Sequence, residues 1–589
     1  MKKSSYLTRF LIWRAHNISD RQFILFLSMV IGIAVGFGAV LIKNLVRYIH
    51  EHLNMLTRLG SDYQQLLYPL IGLLLTVAFI KYINKRPVRH GIPSVLYAIS
   101  KANGYMHQHN LISSIITSAL TVGFGGSVGL EGPTVATGAA IGSNTGRLLR
   151  LNQRQIMLLL GCASAGAMSA IFKAPITGVV FVLEVMMFDL TMAAIVPFLI
   201  SSATAVLTSY FFLGQNVLYP FEITEKFAFK DVTYYIILGI VTGLVAVYFT
   251  KTYIIISDFF ERIKGKFNRV IIGASVLGVL IFFIPSLFGE GYEAINKCLR
   301  VDTSYLFDGT IYAGLSHSFI AVVVLLILVF LFKAVATSIT FGGGGVGGVF
   351  APTLFVGANV GLVFSKLLDH FGLPLSQSNF ALAGMAGMIA GVIHAPLTAI
   401  FLIAEITGGY QLFIPLMIVA TISYATVRIF LSNSVYTIQL AKRGELITHH
   451  KDKAVLMMMN IKDLIEKDFN IVHPDDSLGE LIQVIVHAHR NIFPVVEKDY
   501  TFRGIVKMDD IRHIMFNQEL YDKIFVRDLM FMPENVVQLS ESVEEVAKKF
   551  QDSGRYNIAV IENGKYLGFV SRAKTFSAYR KLLKDFSEH

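Results

Sequence analysis

The chain has 589 residues, of which 54% are hydrophobic and only 15% are charged, and this composition excludes a soluble protein of such a length. The net charge of +11 would indicate nucleic-acid binding in a soluble protein. Here the basic residues lie mainly in short loops and tails, which is the positive-inside pattern of membrane proteins, so we expect membrane lipid and no nucleic acid as a partner. The two cysteines, Cys162 and Cys298, are too few for a disulfide framework.

Residues 1–22 are interpreted as a cytoplasmic N-terminal segment, because they contain no short apolar region followed by a cleavage site. Apolar runs long enough to cross a bilayer follow, beginning for example at Phe23, Tyr234 and Phe319. The apolar character lasts to about Phe430 and predicts a multi-pass membrane domain over residues 23–440. The basic loops predict that both termini are cytoplasmic, with the cell (inner) membrane as the expected location.

Two pairs of motifs predict an internal repeat of about 220 residues. GLEGPTVATGAAIG begins at Gly129 and GVFAPTLFVGANVG begins at Gly348, 219 residues later. APITGVVFVLE begins at Ala174 and APLTAIFLIAE begins at Ala395, 221 residues later. We therefore expect repeats at about 23–215 and 230–440. In transporters such repeats are often inverted, with the binding site at broken helices between them.

The repeat separates the buried carboxylates into two kinds. Glu184 and Glu405 are equivalent, so we expect both to be architectural, for example as acceptors for nearby backbone N–H groups. Glu131 is equivalent to Phe350 and therefore breaks the symmetry. Because an ionisable group inside a membrane is costly, this unpaired carboxylate is the first candidate for a functional residue.

The residues around Glu131 predict a helix that starts inside the membrane. Three glycines before it disfavour regular helix, and Pro133 suits a first helical turn. Small residues then recur at a spacing of four and predict close packing on a neighbouring helix: Thr134, Gly138 and Gly142. Glu131 and Phe350 would each lie at a helix N-terminus, where N–H groups and the helix dipole attract anions. A carboxylate there can occupy the anion's position and leave it when protonated.

Two other interpretations of these glycines remain open. The loop FGGGGVGG could only pack helices together, without binding anything. It could also hold a phosphate, but it lacks the GK[ST] ending of a nucleotide-binding loop.

At these motifs the chain resembles the CLC family of chloride channels and chloride/proton antiporters. GLEGP, with Gly129, Gly132 and Pro133, is similar to the family's GxEGP motif, and GGVFAP, with Gly348 and Pro352, is similar to GxFxP. HGIP, from His90 to Pro93, is similar to the end of the GSGIP motif, and SVYTIQL is similar to the segment that carries the pore tyrosine. The resemblance implies an all-α, polytopic membrane protein with inverted repeats, whose broken helices meet at mid-membrane. It also implies a homodimer with one pore per subunit.

The resemblance implies a role for each motif residue. Glu131 would be the external gate. The central chloride, or another small anion, would be held at residues from three motifs: His90, Gly91, Ile92, Val349, Phe350 and Tyr436. His90 stands where the family has a serine, and it either binds the anion or turns away from it. Taken alone, Tyr436 would be read as a membrane-interface tyrosine.

Val185 bears on proton coupling. Proton-coupled members that resemble FVLEVMM have a second glutamate directly after the residue equivalent to Glu184, and this chain has Val185 there. Valine cannot carry a proton, which favours channel-like, passive conduction. A chloride/proton antiporter remains the alternative, since antiporters without this glutamate are known in the family.

The C-terminal region is predicted to be a second, soluble repeat. A polar linker covers residues 441–456. NIVHPDDSLGELI from Asn470 matches NVVQLSESVEEVA from Asn535, and each repeat carries a capping box, Ser477 with Glu480 and Ser542 with Glu545. This resembles a tandem pair of cytoplasmic α/β CBS domains, at residues 457–520 and 521–589.

CBS pairs that bind adenine nucleotides use a Ser or Thr and an Asp three residues later. Each repeat here keeps half of this pattern, in Asp510 and in Ser571. The tail would therefore either bind ATP, ADP or AMP or serve as a structural dimerisation platform.

No cofactor is required by this interpretation, and chloride is the expected permeant ion. Three remoter alternatives have less support in the sequence. A CBS-bearing cation transporter would need several acidic residues in its spans, and an enzyme would need a metal-ligand cluster or a nucleophile with a base, which the sequence does not display. A nucleotide sensor that transports nothing would leave the two broken-helix motifs unexplained.

Overall fold

The structure is a computed structural model in which the chain forms two compact units, Met1–Leu446 and Ile447–His589. The residues that the structure describes are 6–59, 66–88, 91–188, 191–215, 227–307, 310–442 and 459–587. His90 and all but the first two residues of the predicted linker, 441–456, lie outside these ranges.

The first unit consists of α-helices. In chain order they are α1 Tyr6–Asn17, α2 Asp20–Leu59, α3 Tyr68–Ala78, α4 Gly91–Ser100, α5 Asn110–Gly123, α6 Glu131–Leu148, α7 Gln153–Phe172, α8 Pro175–Glu184, α9 Met192–Leu213, α10 Val232–Arg262, α11 Lys266–Phe283, α12 Tyr292–Leu299, α13 Phe319–Gly342, α14 Phe350–His370, α15 Gln377–Ile393, α16 Pro396–Ile406, α17 Phe413–Phe430 and α18 Ile438–Lys442. A π-helical stretch, Phe79–Asn84, continues α3.

Eight helices among the described residues are long and apolar enough to cross a membrane. Large apolar side chains are exposed along several of them, including Phe26 and Phe37 on α2 and Ile240 on α10. A lipid environment satisfies such side chains, because they would otherwise be in contact with water. The predicted multi-pass membrane unit is confirmed.

Both repeats contain a broken helix at the predicted place. α5 ends at Gly123 and α6 begins at Glu131, while α13 ends at Gly342 and α14 begins at Phe350. Each break contains a glycine in the left-handed region, Gly125 with φ of 93° and Gly344 with φ of 94°. The backbone turns there in a conformation that residues with a Cβ atom rarely adopt. The predicted helix starts at Glu131 and Phe350 are therefore confirmed.

Glycines bring the helix after each break close to its neighbour. A Cβ atom on Gly142 of α6 would lie 2.4 Å from the carbonyl oxygen of Leu159 in α7. The equivalent residue, Gly361 of α14, would place a Cβ atom 2.1 Å from the carbonyl oxygen of Phe380 in α15. The close packing predicted from small residues at a spacing of four is confirmed, and it occurs in both repeats.

Glu184 and Glu405 join the repeats reciprocally. Glu184 accepts hydrogen bonds from the backbone N–H groups of Leu397 and Thr398, at 3.1 and 2.7 Å. Glu405 accepts the equivalent bonds from Ile176 and Thr177, at 3.0 and 2.8 Å. Each carboxylate therefore caps the first turn of the other repeat's short helix, α16 or α8. The predicted architectural role is confirmed.

The second unit is a small α/β structure with its own apolar core. Its helices are α19 Ile461–Leu464, α20 Leu478–His487, α21 Met508–Ile511, α22 Val526–Leu529, α23 Val543–Ser553 and α24 Arg572–Ser587. Its strands are β1 Ile465–Glu466, β2 Ile492–Val496, β3 Phe502–Lys507, β4 Val537–Gln538, β5 Asn557–Glu562 and β6 Lys565–Ser571. Strands β2 and β3 form one sheet, and the other has the order β1-β6-β5-β4.

The two halves of this unit begin their main helices in the same way. Ser477 caps α20 and Ser542 caps α23, and in each case the glutamate three residues later accepts a bond from the serine N–H, at 2.7 and 2.8 Å. Both predicted capping boxes are confirmed.

Candidate functional site

The two broken helices meet at a pair of glycines. Gly129 and Gly348 form an antiparallel bridge in which each N–H donates to the other's carbonyl oxygen, at 2.8 and 2.7 Å. Two further bonds are reciprocal. The backbone N–H of Ser127 donates to the hydroxyl of Thr340, and the N–H of Val346 donates to Thr121, both at 3.1 Å. The repeats are thus related by an approximate two-fold axis at the predicted motif residues.

Glu131 is the first residue of α6 and has no exposed surface. The hydroxyl of Tyr292 donates a hydrogen bond of 2.6 Å to its Oε1 atom. The Oε2 atom has no hydrogen-bond partner of good geometry among the residues that the structure describes. The backbone N–H groups of Glu131 itself and of Ala351, in the second repeat, lie near the carboxylate. A titratable side chain is therefore held at the junction of the two repeats.

The glycines of both motifs make room for this carboxylate. A Cβ atom on Gly129 would lie 2.0 Å from Oε2 of Glu131, and one on Gly348 would lie 3.1 Å from the same atom. A side chain at Gly129 would displace the glutamate. The motif glycines therefore allow the carboxylate to fold back over the bridge between the repeats.

A cavity of about 20 Å³ lies next to this carboxylate, above the roughly 10–15 Å³ that holds one water molecule. Its lining comes from six separate stretches of the chain and consists of Gly91, Ile92, Pro93, Gly132, Tyr253, Phe341, Gly347, Gly348, Val349, Val435 and Tyr436. Four of the predicted anion-binding residues are in this lining. Phe350 is not, and its ring packs against Phe172 at 5.2 Å between centroids. His90 precedes the first lining residue and lies outside the described ranges.

Tyr436 gives the cavity a polar group. Its ring is buried, and its hydroxyl has no hydrogen-bond partner among the residues that the structure describes. Buried hydroxyl groups nearly always have a partner, so an unpartnered hydroxyl on a residue that lines a cavity is a candidate donor to a bound water or ligand.

Three helices begin at the cavity, and this determines its chemistry. Gly91 starts α4, and a Cβ atom on it would lie 2.7 Å from Cα of Gly132, in the first turn of α6. The N-cap residues of α6 and α14, Leu130 and Val349, make no side-chain capping bond among the described residues. The first N–H groups of a helix lack intrahelical partners and carry a positive partial charge. The arrangement can hold an anion without a full positive charge beside it.

Sequence reasoning missed two residues of this site, Glu290 and Tyr292. Glu290 accepts a hydrogen bond from the backbone N–H of Leu130 at 3.3 Å, and Tyr292 binds Glu131 as described above. Both lie just before or at the start of α12, about 160 residues from the GLEGP motif. One signal was available, because Glu290 is a second unpaired carboxylate directly after an apolar run.

Two lysines accompany these carboxylates. Lys333 of α13 is fully buried and donates to the carbonyl oxygens of Leu287 and Gly289, at 3.3 and 2.9 Å. Lys43 of α2 donates to the carbonyl oxygen of Ile171. Both lysines lie close enough to Glu290 to interact electrostatically with it, so buried basic side chains accompany the acidic ones of the site.

Val185 is buried at the end of α8 and offers no titratable group. The carboxylate of its neighbour Glu184 is occupied by Leu397 and Thr398. The position that would carry protons in coupled members of the family is thus occupied by a buried, apolar side chain.

The predicted nucleotide contacts differ in availability. Asp510 is exposed on α21. Ser571 is buried; its hydroxyl donates to Glu466 and accepts a bond from the backbone N–H of Lys574 at 3.1 Å. Asp510 is therefore available to a ligand, while Ser571 first has to release Glu466.

Comparison with known proteins agrees with this geometry. Residues 71–428 match the family model described as voltage gated chloride channel, and residues 461–517 and 526–579 each match the CBS domain model. A ClcB-like protein of Ralstonia nicotianae is 30% identical over 396 residues, which are 65% of this chain and 86% of that protein. The H(+)/Cl(-) exchange transporter ClcA of Vibrio parahaemolyticus is 30% identical over 307 residues, 50% of this chain and 62% of that protein.

A solved structure of a eukaryotic CLC transporter superposes with a TM-score of 0.62 at 17% identity, covering 97% of this chain and 99% of that one. That likeness extends the agreement in fold to both units of the chain. Since a family model matches more than half of the residues, the chain belongs to the CLC family, and it carries a C-terminal pair of CBS domains.

Proposed function

We propose that this protein transports small anions, with chloride as the permeant ion, by passive conduction through a pore that Glu131 gates. One observation carries the proposal: a small cavity lies where α4, α6 and α14 begin, and Tyr436, which lines it, has a buried hydroxyl without a partner among the described residues. Helix N-termini and a free hydroxyl donate hydrogen bonds, and they accept an anion rather than a cation.

The gate mechanism follows from the position of Glu131. In its charged form the carboxylate is an anion beside the anion cavity, near the first N–H groups of two helices. It competes with a permeant ion for the same donors. Protonation removes that competition and allows the side chain to leave. Conduction is therefore expected to increase as the external pH falls.

The charge around the gate favours an anion over a cation. Glu131 and Glu290 are accompanied by Lys43 and Lys333, so the site around the gate does not carry the excess of acidic groups that a cation path requires. Which anion is preferred depends in part on His90, which stands where the family has a serine.

A chloride/proton antiporter is the second candidate, because one relative of comparable identity is named an H(+)/Cl(-) exchange transporter. Coupling requires a proton route from both sides to the gate. Glu131 serves one side. On the other, Val185 cannot carry a proton and Glu184 is occupied, which leaves water or His90 as the carrier. Passive conduction is therefore the stronger proposal.

The wider assembly follows the family. We propose a homodimer in the cell membrane with both termini in the cytoplasm and a CBS pair that regulates the pore, Asp510 being its first candidate contact for an adenine nucleotide.

The test is a reversal-potential measurement on protein reconstituted into lipid bilayers, with protein-free bilayers as the control. A passive anion pore gives a potential that follows the chloride gradient alone, about 59 mV per tenfold ratio for one charge, and ignores a pH gradient. In chloride-loaded liposomes, efflux should require a cation ionophore. Uphill proton movement driven by chloride would contradict the channel proposal and favour the antiporter. Absence of any anion flux from folded protein would contradict both.

A further inference from the structure

One segment of the second repeat runs along residues Gly125–Glu131 of the first, which are called the gate motif here. This segment, Gly289–Tyr292, is called the latch segment here. The N–H of Gly289 donates to the carbonyl oxygen of Gly125 at 3.3 Å. Next, Glu290 accepts a hydrogen bond from the N–H of Leu130, and then the hydroxyl of Tyr292 donates to the carboxylate of Glu131. The segment thus touches the gate motif at three successive places.

We propose that Tyr292 is a positioning residue for the gate, and that its hydroxyl holds the carboxylate of Glu131 in the inward, closed position. The proposal rests on the gating role of Glu131 proposed above. It assigns to the latch segment the task of setting how readily the gate opens.

The hydrogen bond itself favours the closed gate. At 2.6 Å between Oη and Oε1 it is short, as expected for a hydroxyl that donates to a charged carboxylate, and such bonds are roughly twice as strong as neutral ones. Protonation of Glu131 removes this advantage. The bond has to break before the side chain can leave its site, so the hydroxyl stabilises the charged, closed gate over the protonated one.

The latch segment is held firmly enough to act in this way. Lys333, which is fully buried on α13, donates hydrogen bonds to the carbonyl oxygen of Gly289 in the latch segment and to that of Leu287 just before it. Gly291 has a φ of 86°, and a Cβ atom on it would lie 2.6 Å from the ring of Phe355. Tyr292 then starts α12. The hydroxyl is therefore presented by fixed backbone rather than by a loose loop.

Other charged or titratable groups also influence Glu131. Lys43 from α2 attracts its negative charge, while Glu290 and Tyr436 would oppose it if charged. Lys333 acts on it indirectly, through Glu290. None of these groups is altered when the tyrosine loses only its hydroxyl. Tyr292→Phe therefore isolates the hydrogen bond.

The experiment measures chloride efflux from liposomes across a series of external pH values for the wild type and Tyr292→Phe. Tyr305→Phe is the control, because the hydroxyl of Tyr305 likewise donates a short bond, of 2.7 Å, to a side-chain oxygen, Oδ1 of Asn359, which is not part of the gate. Loss of the latch should move the midpoint of activation by external acid to higher pH by about one to two units. Tyr305→Phe should leave the midpoint unchanged.

The Glu131→Gln background separates this proposal from the one on which it rests. If Glu131→Gln removes the pH dependence and Tyr292→Phe leaves the midpoint in place, the latch is wrong and the gate stands. If Glu131→Gln keeps the full pH dependence, the gate itself is wrong. In the double variant, Tyr292→Phe should add nothing to Glu131→Gln, since no charged acceptor remains. Should Tyr292→Phe not be recovered in folded form, Tyr292→Leu replaces it, and an unchanged midpoint there equally overturns the latch.

Discussion

At the scale of single residues, the functional asymmetry of the membrane unit comes from one pair of equivalent positions. Position 131 is glutamate and position 350 is phenylalanine, although both start a helix after the same glycine turn. The phenylalanine ring packs against Phe172, and the carboxylate turns toward the bridge between the repeats. In the proposed mechanism the shared backbone provides the anion site, and this one side chain makes it responsive to protons.

Glu131→Gln should keep the pore conducting and remove most of its dependence on external pH. Glutamine has the shape of the protonated glutamate and carries no charge to compete with an anion. Chloride efflux from liposomes, recorded at several external pH values, measures this. Glu293→Gln is a suitable control, because Glu293 is an exposed glutamate of α12. Abolished flux from folded Glu131→Gln protein would show that the gate assignment is wrong.

Tyr436→Phe should weaken chloride binding by about 10- to 100-fold, which corresponds to roughly 1.5–3 kcal/mol for a hydrogen bond to a charged group. The measurement is calorimetry in the Glu131→Gln background, where the gate no longer competes. Tyr248→Phe, which loses a hydroxyl bond of 3.1 Å to the carbonyl of Leu331, controls for the substitution itself. An affinity that does not change would mean that the helix N-termini or His90 bind the anion without this hydroxyl.

The sequence was sufficient for residues whose role depends on local pattern or on the repeat. The helix starts at Glu131 and Phe350 followed from glycine and proline placement, and the architectural role of Glu184 and Glu405 followed from their equivalence. That each of them caps a helix of the other repeat was visible only in the structure. Tyr292 could not be predicted in the same way. Its contact joins segments far apart in the chain, and no local spacing encodes a tertiary hydrogen bond of this kind.

At the scale of elements, the close approach of α6 to α7 fixes the direction in which the N-terminus of α6 points. Gly142 lies against the backbone of Leu159, and backbone cannot move aside as a side-chain tip can. The same contact recurs between α14 and α15. The two helix N-termini are therefore held toward one cavity by helix pairs whose backbones approach each other closely at glycines.

Gly142→Ala should lower the stability of the folded protein by about 1–3 kcal/mol, the usual cost of overpacking. Gly38→Ala is the matched control, since a Cβ atom on Gly38 of α2 meets only the methyl group of Thr137 of the same α6, at 3.8 Å. That variant should be neutral or slightly more stable, because alanine favours helix. Thermal unfolding in detergent compares the two. Equal stability of both variants would contradict the role given to the α6–α7 contact.

At the scale of the whole molecule, the chain combines an anion-transport fold with a second unit that has its own core and sheets. If that unit binds an adenine nucleotide, ATP, ADP or AMP should raise the unfolding temperature of the isolated residues 445–589, because a ligand stabilises the state that binds it. Asp510→Asn should reduce the shift, while Asp509→Asn, an exposed neighbour paired with Arg512, should not. No shift at millimolar nucleotide would favour the structural platform.

The hydrogen bonds between the repeats have a mechanical consequence. Gly129 and Gly348 tie the two halves together at the cavity, and Glu184 and Glu405 tie them again at α8 and α16. A transporter that rocks one half against the other would have to rupture both sets of ties in every cycle. We therefore expect the backbone of this protein to act as a stationary frame. The moving part would then be as small as one carboxylate swinging on its own side-chain bonds, with the amide protons of the glycine bridge among the slowest to exchange with water.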